Sequence, residues 1–353
     1  MVSFLNKKKG LICRIFCCLI NFSFCSLLFS SDYQIKDIYT HQKEGRDPFV
    51  ELIKSSKESI FLSVYRIDDR IIGEELLKAK RRGVKVKIIL EFNVFDHLNS
   101  QSQNNVFIKK MIDSGIEVFD KSALVAQNHC KYLVVDYRSA LLTTGNLDVE
   151  SFDGDKNYSV TRDFSLLIDD SEMISEMVKS FLYDTQNKEP IFKNKNLLWG
   201  PLNQREKLTA IINSAQKKIF IYQQDITDEK IFKALLKKQK EGIDVHLIMT
   251  PFPFQKNNDE NYNFQKILQD AGANVRFLSN GIYVHAKVII VDPDSENQKA
   301  YVGSCNFYKP SLDCNRELGV IMTGSKRINS LLQTFWKDFK NSLEKHPLEK
   351  KNL

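Results

Sequence analysis

At 353 residues the chain exceeds what one hydrophobic core usually serves, which excludes a single small domain and leaves two domains or a duplicated fold. Its 42% hydrophobic and 27% charged residues are those of an ordinary globular protein and exclude a disordered or fibrous one. The net charge of +7 falls to +3 once Lys7, Lys8, Lys9 and Arg14 are set aside, too mild to argue for nucleic acid by charge alone.

Those four cations precede an uncharged stretch, Ile15-Phe16-Cys17-Cys18-Leu19-Ile20 and on to Phe29. The run is shorter than the ~20 residues a spanning helix needs and reads as the apolar region of a signal peptide. The nearest small-x-small triplet, Ser23-Phe24-Cys25, is a poor cleavage site, so residues 1–31 are expected to be a signal peptide or a retained N-terminal anchor. In both cases the positive flank stays inside and the bulk of the chain is exported, secreted or periplasmic. Cys13, Cys17, Cys18 and Cys25 lie in this segment. The remaining Cys130, Cys305 and Cys314 make no disulfide framework and have no zinc spacing.

The rest reads as a repeat. In the first copy (residues 42–185) an apolar-faced helix, Phe49–Ile53, leads to a strand, Ser59–Val64, and an acidic turn, Asp68-Asp69. An amphipathic helix, Gly73–Arg82, ends at Gly83, and a strand, Val84–Leu90, follows. Next come a helix, Phe107–Ser114, a short strand, Ile116–Phe119, and a strand opening at His129. The polar stretch 186–196, with Pro190, is the expected linker. The second copy (197–343) repeats the plan with Leu208–Ile212, Lys218–Tyr222, Asp225–Asp228, Lys230–Glu241 before Gly242, Ile243–Met249, Phe264–Ala271 and Ala273–Phe277, then a strand opening at His285. Arg162-Asp163-Phe164 corresponds to Arg316-Glu317-Leu318, and the closing helices carry Asp184 and Asp338. The offset stays between 154 and 159 residues, one domain-sized unit. Strands alternating with helices imply an α/β fold, two tandem repeats each with a sheet flanked by helices. The charged tail, 344–353, is expected to fray.

Each copy holds the same spacing of chemical groups. His129-Cys130-Lys131 is followed by Asp136, and His285-Ala286-Lys287 by Asp292. Asn146 follows Thr143-Thr144-Gly145, and Asn306 follows Gly303-Ser304-Cys305. Residues i and i+2 of a strand share a face, so each His and Lys project together while Cys130 and Ala286 face the core. A lone His on an apolar strand is usually a satisfied core residue, and a lone Lys a snorkelling one. That reading fails when His, Lys, Asp, Asn and a distal carboxylate recur in order in both halves.

The residue types suit a phosphodiester. A neutral imidazole is not repelled by the anion, and histidine serves as nucleophile or acid near neutrality. One of His129 and His285 attacks phosphorus to give a phosphohistidine; the other protonates the leaving alkoxide, then deprotonates the incoming water or alcohol. Lys131 and Lys287 neutralise the non-bridging oxygens, and Asn146 and Asn306 donate to them. Asp163 and Glu317 each hold one histidine by its other ring nitrogen. Nothing in the spacing calls for a metal or another cofactor.

These residues resemble the phospholipase D superfamily, whose mark is H-x-K-x4-D-x6-G-S-x-N, over residues 45–340. The resemblance implies two mixed sheets packed about a pseudo-twofold axis with both histidines at the junction. It implies catalytic roles for His129, Lys131, Asn146, His285, Lys287 and Asn306, and that the nucleophile is His129. It makes Asp136 and Asp292 supports near the site, with Thr144 and Ser304 in the place of the motif serine. The first copy departs from the mark at Thr143-Thr144 and has Asp163 where the second has Glu317, one methylene longer. The function expected is an exported phospholipase D-type phosphodiesterase acting on membrane phospholipids, by hydrolysis with transphosphatidylation open to it, and active as a monomer because both motifs share one chain. The alternatives are a cardiolipin synthase-like phosphatidyltransferase, a metal-independent nuclease, and a non-catalytic membrane-binding module. Phe92, Phe95, Phe152, Phe252, Phe254, Phe307 and Tyr308, after strand ends and Asn positions, are candidates for lipid contact or for core packing.

Overall fold

Apolar strands between amphipathic helices build two seven-stranded sheets in the computed structural model, which describes residues 35–94, 100–154, 160–253, 259–278, 281–323 and 326–348. Residues 1–31, Phe95 and Phe254 lie outside the described residues. The first repeat supplies β1 (Ile35–Thr40), β2 (Ser59–Val64), β3 (Lys85–Leu90), β4 (Glu117–Asp120), β5 (Tyr132–Val135), β6 (Ser139–Thr143), β7 (Thr161–Arg162) and β8 (Phe164–Ile168). The second supplies β9 (Leu197–Trp199), β10 (Lys218–Gln223), β11 (Asp244–Met249), β12 (Asn274–Phe277), β13 (Tyr283–Val284), β14 (Lys287–Val291), β15 (Lys299–Gly303) and β16 (Leu318–Thr323). The orders are β1-β8-β6-β5-β2-β3-β4 and, read from the other edge, β9-β16-β15-β14-β10-β11-β12. Strand for strand they match, so the sequence repeat is a repeat of topology.

Both sheets are mixed. β2, β3 and β4 run parallel, as do β10, β11 and β12, while β5 and β14 pair antiparallel with β2 and β10. Parallel neighbours need crossovers, which the helices Arg70–Arg81 and Glu229–Lys240 provide. The acidic turns ahead of those helices are their caps: Asp69 accepts from Ile72 N at 2.9 Å and Asp228 from Ile231 N at 3.0 Å. β2 is buried at every position and β10 at all but Lys218, as continuous apolar runs require.

One apolar core crosses the repeats. Phe61, Tyr132, Val134, Phe164 and Leu166 of the first pack with Phe220, Tyr222, Val288, Ile290 and Val320 of the second, and with Met177 and Phe335 from the closing helices Ser171–Asp184 and Lys326–Lys340. Each repeat keeps its own outer core under its crossover helix.

The structure departs from the sequence reading in three places. His129, Cys130 and Lys131 precede the ladder of β5, and His285 and Ala286 precede that of β14. They leave their own sheet because their backbone pairs with the other repeat: Asn128 bridges Arg316, and β13 runs parallel to β7. The first sheet also takes in β1, upstream of residue 42; of its residues only Ile35 is buried, so its apolar pattern is weak. The tail does not fray at its start, because Leu343 exchanges backbone bonds with Phe277, and His346 is buried among Phe252, Tyr262 and Phe277 with Asp259 Oδ2 at 2.9 Å.

Candidate active site

The two histidine segments meet because each pairs with the carboxylate segment of the opposite repeat. His129 N donates to Arg316 O at 2.8 Å, and Ala286 N to Arg162 O at 2.8 Å. Their arginines repeat the crossing. Arg162 grips Asp338 at 2.6 and 2.7 Å, and Arg316 grips Asp184 at 3.0 and 2.8 Å. Planar guanidinium–carboxylate pairs of this kind fix geometry as well as charge.

The side chains follow the backbone. His129 Nδ1 lies 2.9 Å from both oxygens of Glu317, and His285 Nδ1 lies 3.1 and 3.3 Å from those of Asp163. Each carboxylate holds its histidine as the Nδ1–H tautomer and leaves Nε2 for chemistry. The carboxylates are themselves clamped by hydroxyls. Thr144 Oγ1 donates to Asp163 at 2.6 Å, joined by Thr161, and Ser304 and Ser311 both donate to Glu317. Lys131 Nζ donates to His129 O at 2.8 Å, and Lys287 Nζ to His285 O. Both lysines are buried, whereas the histidine side chains are 13% and 14% exposed, so the imidazoles form the open floor of the site.

Electrostatics divide the groups. Burial, then Lys131 and Lys287, push His129 well below its ordinary pKa. Burial and Lys287 bring His285 down to about 4 against the pull of Asp163. Burial lowers Lys131 to about 8, opposed by Glu317, and lowers Lys287 to about 7, opposed by Asp163 and aided by the charge of Lys131. Burial raises Glu317 to about 7, opposed by Lys131 and by the Ser304 and Ser311 hydroxyls. Burial works the same way on Asp163, but the charge and hydrogen bond of His285 outweigh it and hold that carboxyl below the usual range. At neutral pH the site thus presents two neutral imidazoles beside two buried lysines, a setting that attracts an anion. Among the described residues no cluster of three or more His, Cys, Asp or Glu side chains could hold a metal ion.

Asn146 and Asn306 sit at matching positions, and their side-chain oxygens are buried without a hydrogen-bond partner among the described residues. Asp136 and Asp292 are not near the site. They lie at the far ends of β5 and β14, where Asp136 accepts from the backbone of Lys57, Glu58 and Ser59, and Asp292 from Gln216, Lys217 and Lys218, all at 2.8 to 2.9 Å. An extended chain of seven residues covers roughly 23 Å, which is why a motif position lies so far from its histidine. Of the aromatic candidates, Phe152 and Phe307 are core residues. Sequence reasoning missed Thr161 and Ser311 as clamps and Tyr65, whose ring meets His129 edge-on at 5.4 Å and lies under Lys131 Nζ at 5.6 Å. Thr161 had a signal, being two residues before Asp163 on an extended segment. Ser311 had none.

A family model described as "Cardiolipin synthase, PLD-like domain" matches residues 49–185 and 208–341. Cardiolipin synthase 2 of Bacillus anthracis is 25% identical over 346 residues, 87% of this chain and 65% of that protein. Cardiolipin synthase 2 of Bacillus cereus is 26% identical over 333 residues, 83% of this chain and 62% of that protein. The chain therefore spans slightly less than two thirds of the length of these relatives. Phosphatidylserine synthase of Haemophilus influenzae Rd KW20 superposes with a TM-score of 0.69 at 13% identity over 89% of each chain, a likeness of fold alone.

These relatives correct the expectation of an exported enzyme. Its support was residues 1–31, outside the described residues, whereas the relatives matched over most of the chain carry the name of a phospholipid synthase. They also count against reading the chain first as a phospholipase D hydrolase. Both halves of the chain, with the histidines they bring together, fall under one family model, and the chain belongs to the phospholipase D superfamily, in the family of cardiolipin synthase, PLD-like domains.

Proposed function

We propose that the chain is a phosphatidyltransferase of the cardiolipin synthase kind, passing a phosphatidyl group from one phospholipid to a hydroxyl of a second through a histidine. The observation that carries the reading is the pair of crossed histidine–carboxylate contacts over two buried lysines, one site with two bases and an anion hole. The names of the relatives supply the choice of transfer over hydrolysis.

His129 Nε2 attacks phosphorus and the bond to the headgroup oxygen breaks; the leaving alkoxide takes its proton from His285, which has drawn that proton from solvent as the phosphodiester anion bound. An acceptor alcohol then gives its proton to His285 and attacks phosphorus, and the P–N bond breaks. His285 is the acid because Asp163 stays ionised beside it and stabilises the imidazolium. Lys131 and Lys287 hold the non-bridging oxygens throughout.

The test is phosphatidylglycerol vesicles as donor and acceptor, with diphosphatidylglycerol, free glycerol and phosphatidic acid all measured. Diphosphatidylglycerol and glycerol in equal amounts support the reading. Phosphatidic acid as the sole lipid product assigns hydrolysis instead, and cleavage of single-stranded DNA with no lipid turnover assigns a nuclease. If His129→Ala and His285→Ala both keep full turnover, the two-histidine mechanism is wrong.

A further inference from the structure

The two repeats support their carboxylates differently, and the difference centres on His41. Its backbone N–H donates to Asp163 O at 3.1 Å; in the second repeat Gly200 N donates to Glu317 O at 2.9 Å, so His41 and Gly200 are equivalent. The His41 ring is buried. It stacks on Phe152 with centroids 5.0 Å apart, and it is faced by Asp163, Asp148 and Arg162. Nδ1 points at Ser151 O, 3.3 Å away, so the ring carries its proton there. Nε2 then accepts, from Ser165 Oγ at 2.8 Å and Thr143 Oγ1 at 3.2 Å.

Both hydroxyls belong to the frame around Asp163. Ser165 stands two residues beyond Asp163. Thr143 pairs with Ser165 across the sheet, precedes the clamp Thr144, and accepts from Gly145 N at 3.1 Å. Gly145 lies against the carboxylate: a Cβ there would sit 2.8 Å from Asp163 Cγ. His41 therefore ties β8, which follows Asp163, to the turn that closes over it. The second repeat has none of this. Its equivalents of Thr143 and Ser165 are Gly303 and Gly319, paired in the same register, and the ring of Tyr301 lies across both where any Cβ would collide with it.

We propose that His41 is a positioning residue that holds the shorter Asp163 carboxylate against His285, a support that the longer Glu317 does without. The inference rests on the two-histidine reading of the site but not on the identity of the substrate. It also gives a physical reason for the unequal repeats: Asp163 reaches His285 at 3.1 and 3.3 Å where Glu317 reaches His129 at 2.9 Å.

The experiment compares His41→Phe, which keeps a ring on Phe152 but accepts no hydrogen bond, with His41→Gln, whose amide oxygen replaces Nε2. The full chain labelled with ¹⁵N-histidine is observed by NMR at pH 7. The hydrogen-bonded Nδ1–H resonance of His285 is expected to move upfield or broaden in His41→Phe and to be retained in His41→Gln, while that of His129 stays in both. With phosphatidylglycerol, kcat of His41→Phe should fall about tenfold with KM unchanged, because the residue touches an orienting group and no substrate. An unchanged His285 signal in His41→Phe, or an equal change at His129, would show that His41 only fills space. If the phenylalanine variant does not fold, His41→Leu reads the same contact with a smaller apolar side chain. Absence of lipid turnover in the wild type would count against the proposed function, and the NMR comparison would still decide the role of His41.

Discussion

Filling the site with an anion should draw protons from solvent. Lys131 and Lys287 are buried beside each other, at about 8 and about 7, far below an ordinary lysine. One unit of negative charge about 4 Å away, at an effective dielectric of about 20, is worth about 4 kcal/mol, roughly three pKa units. That is enough to return both lysines to full charge. At pH 8, before an anion binds, Lys287 is about one-tenth protonated and Lys131 about half, so the two lysines together take up about 1.4 protons. At pH 6 both are already charged and their share of the uptake falls to about 0.1 proton. The sign follows: the anion favours the protonated lysines, so affinity is greatest below pH 7 and is lost as pH rises through 7 and 8. Isothermal titration calorimetry with sulfate, which does not titrate in this range, reads the uptake as the slope of heat against buffer ionisation enthalpy. Lys287→Met should lower the slope at pH 8 by about 0.9 proton. Heats at pH 8 independent of buffer, or a sulfate affinity flat from pH 6 to 9, would refute the assignment of both lysines to one anion hole.

Other expectations follow from particular contacts. Glu317→Gln should slow turnover about a hundredfold and Asp163→Asn less, because Glu317 makes the closer contact with its histidine; steady-state kcat ranks them, and the reverse order contradicts the argument. Asp184→Ala leaves the Arg316 guanidinium buried with Gly200 O as its remaining hydrogen-bond acceptor. It should cost about 3–5 kcal/mol in urea unfolding and reduce kcat through the backbone bond of Arg316 to His129; a loss under about 1 kcal/mol would mean the crossed ion pair is not what holds the repeats. Asp136→Ala removes three backbone hydrogen bonds and an Asp suited to its positive φ of 52°. About 2–4 kcal/mol of stability should go, with kcat per folded molecule unchanged, and a specific loss of kcat would return Asp136 to the site.

The repeat and the candidate site residues were legible because both are local patterns. Alternation, caps and spacing act within a few residues, and His, Lys and Asn each recur at fixed offsets from a strand. The crossing was not legible. Asp163 bonds Thr144 of its own repeat and His285 of the other, and no spacing says which histidine a carboxylate serves. The strand plan also misplaced what it could not measure: the motif aspartates cap the distant start of β2 and β10, and Phe152 and Phe307 follow the site only to enter the outer cores. His41 was invisible for a similar reason. It opens a helix of four residues directly after a weakly patterned edge strand, 122 positions before Asp163, and only the folded sheet brings them together.

Crossing occurs at three levels in the same segments: backbone pairing of Asn128 with Arg316 and of β13 with β7, ion pairs of Arg162 with Asp338 and Arg316 with Asp184, and histidine with carboxylate. The polar contacts that join the repeats, beside the shared apolar core, are therefore also those that shape the site. A separated first repeat would keep His129 without Glu317, Asp163 without His285, and Arg162 without Asp338, each a polar group parted from its charged partner. Duplication here does not give two weak sites that cooperate; it gives one site that neither half contains. It also frees the halves to differ. Each carboxylate answers to a histidine in the other repeat, so Asp163 with His41 behind it and Glu317 with Tyr301 behind it can set two imidazoles apart in reach and in charge, as the proposed transfer, with one nucleophile and one acid, requires.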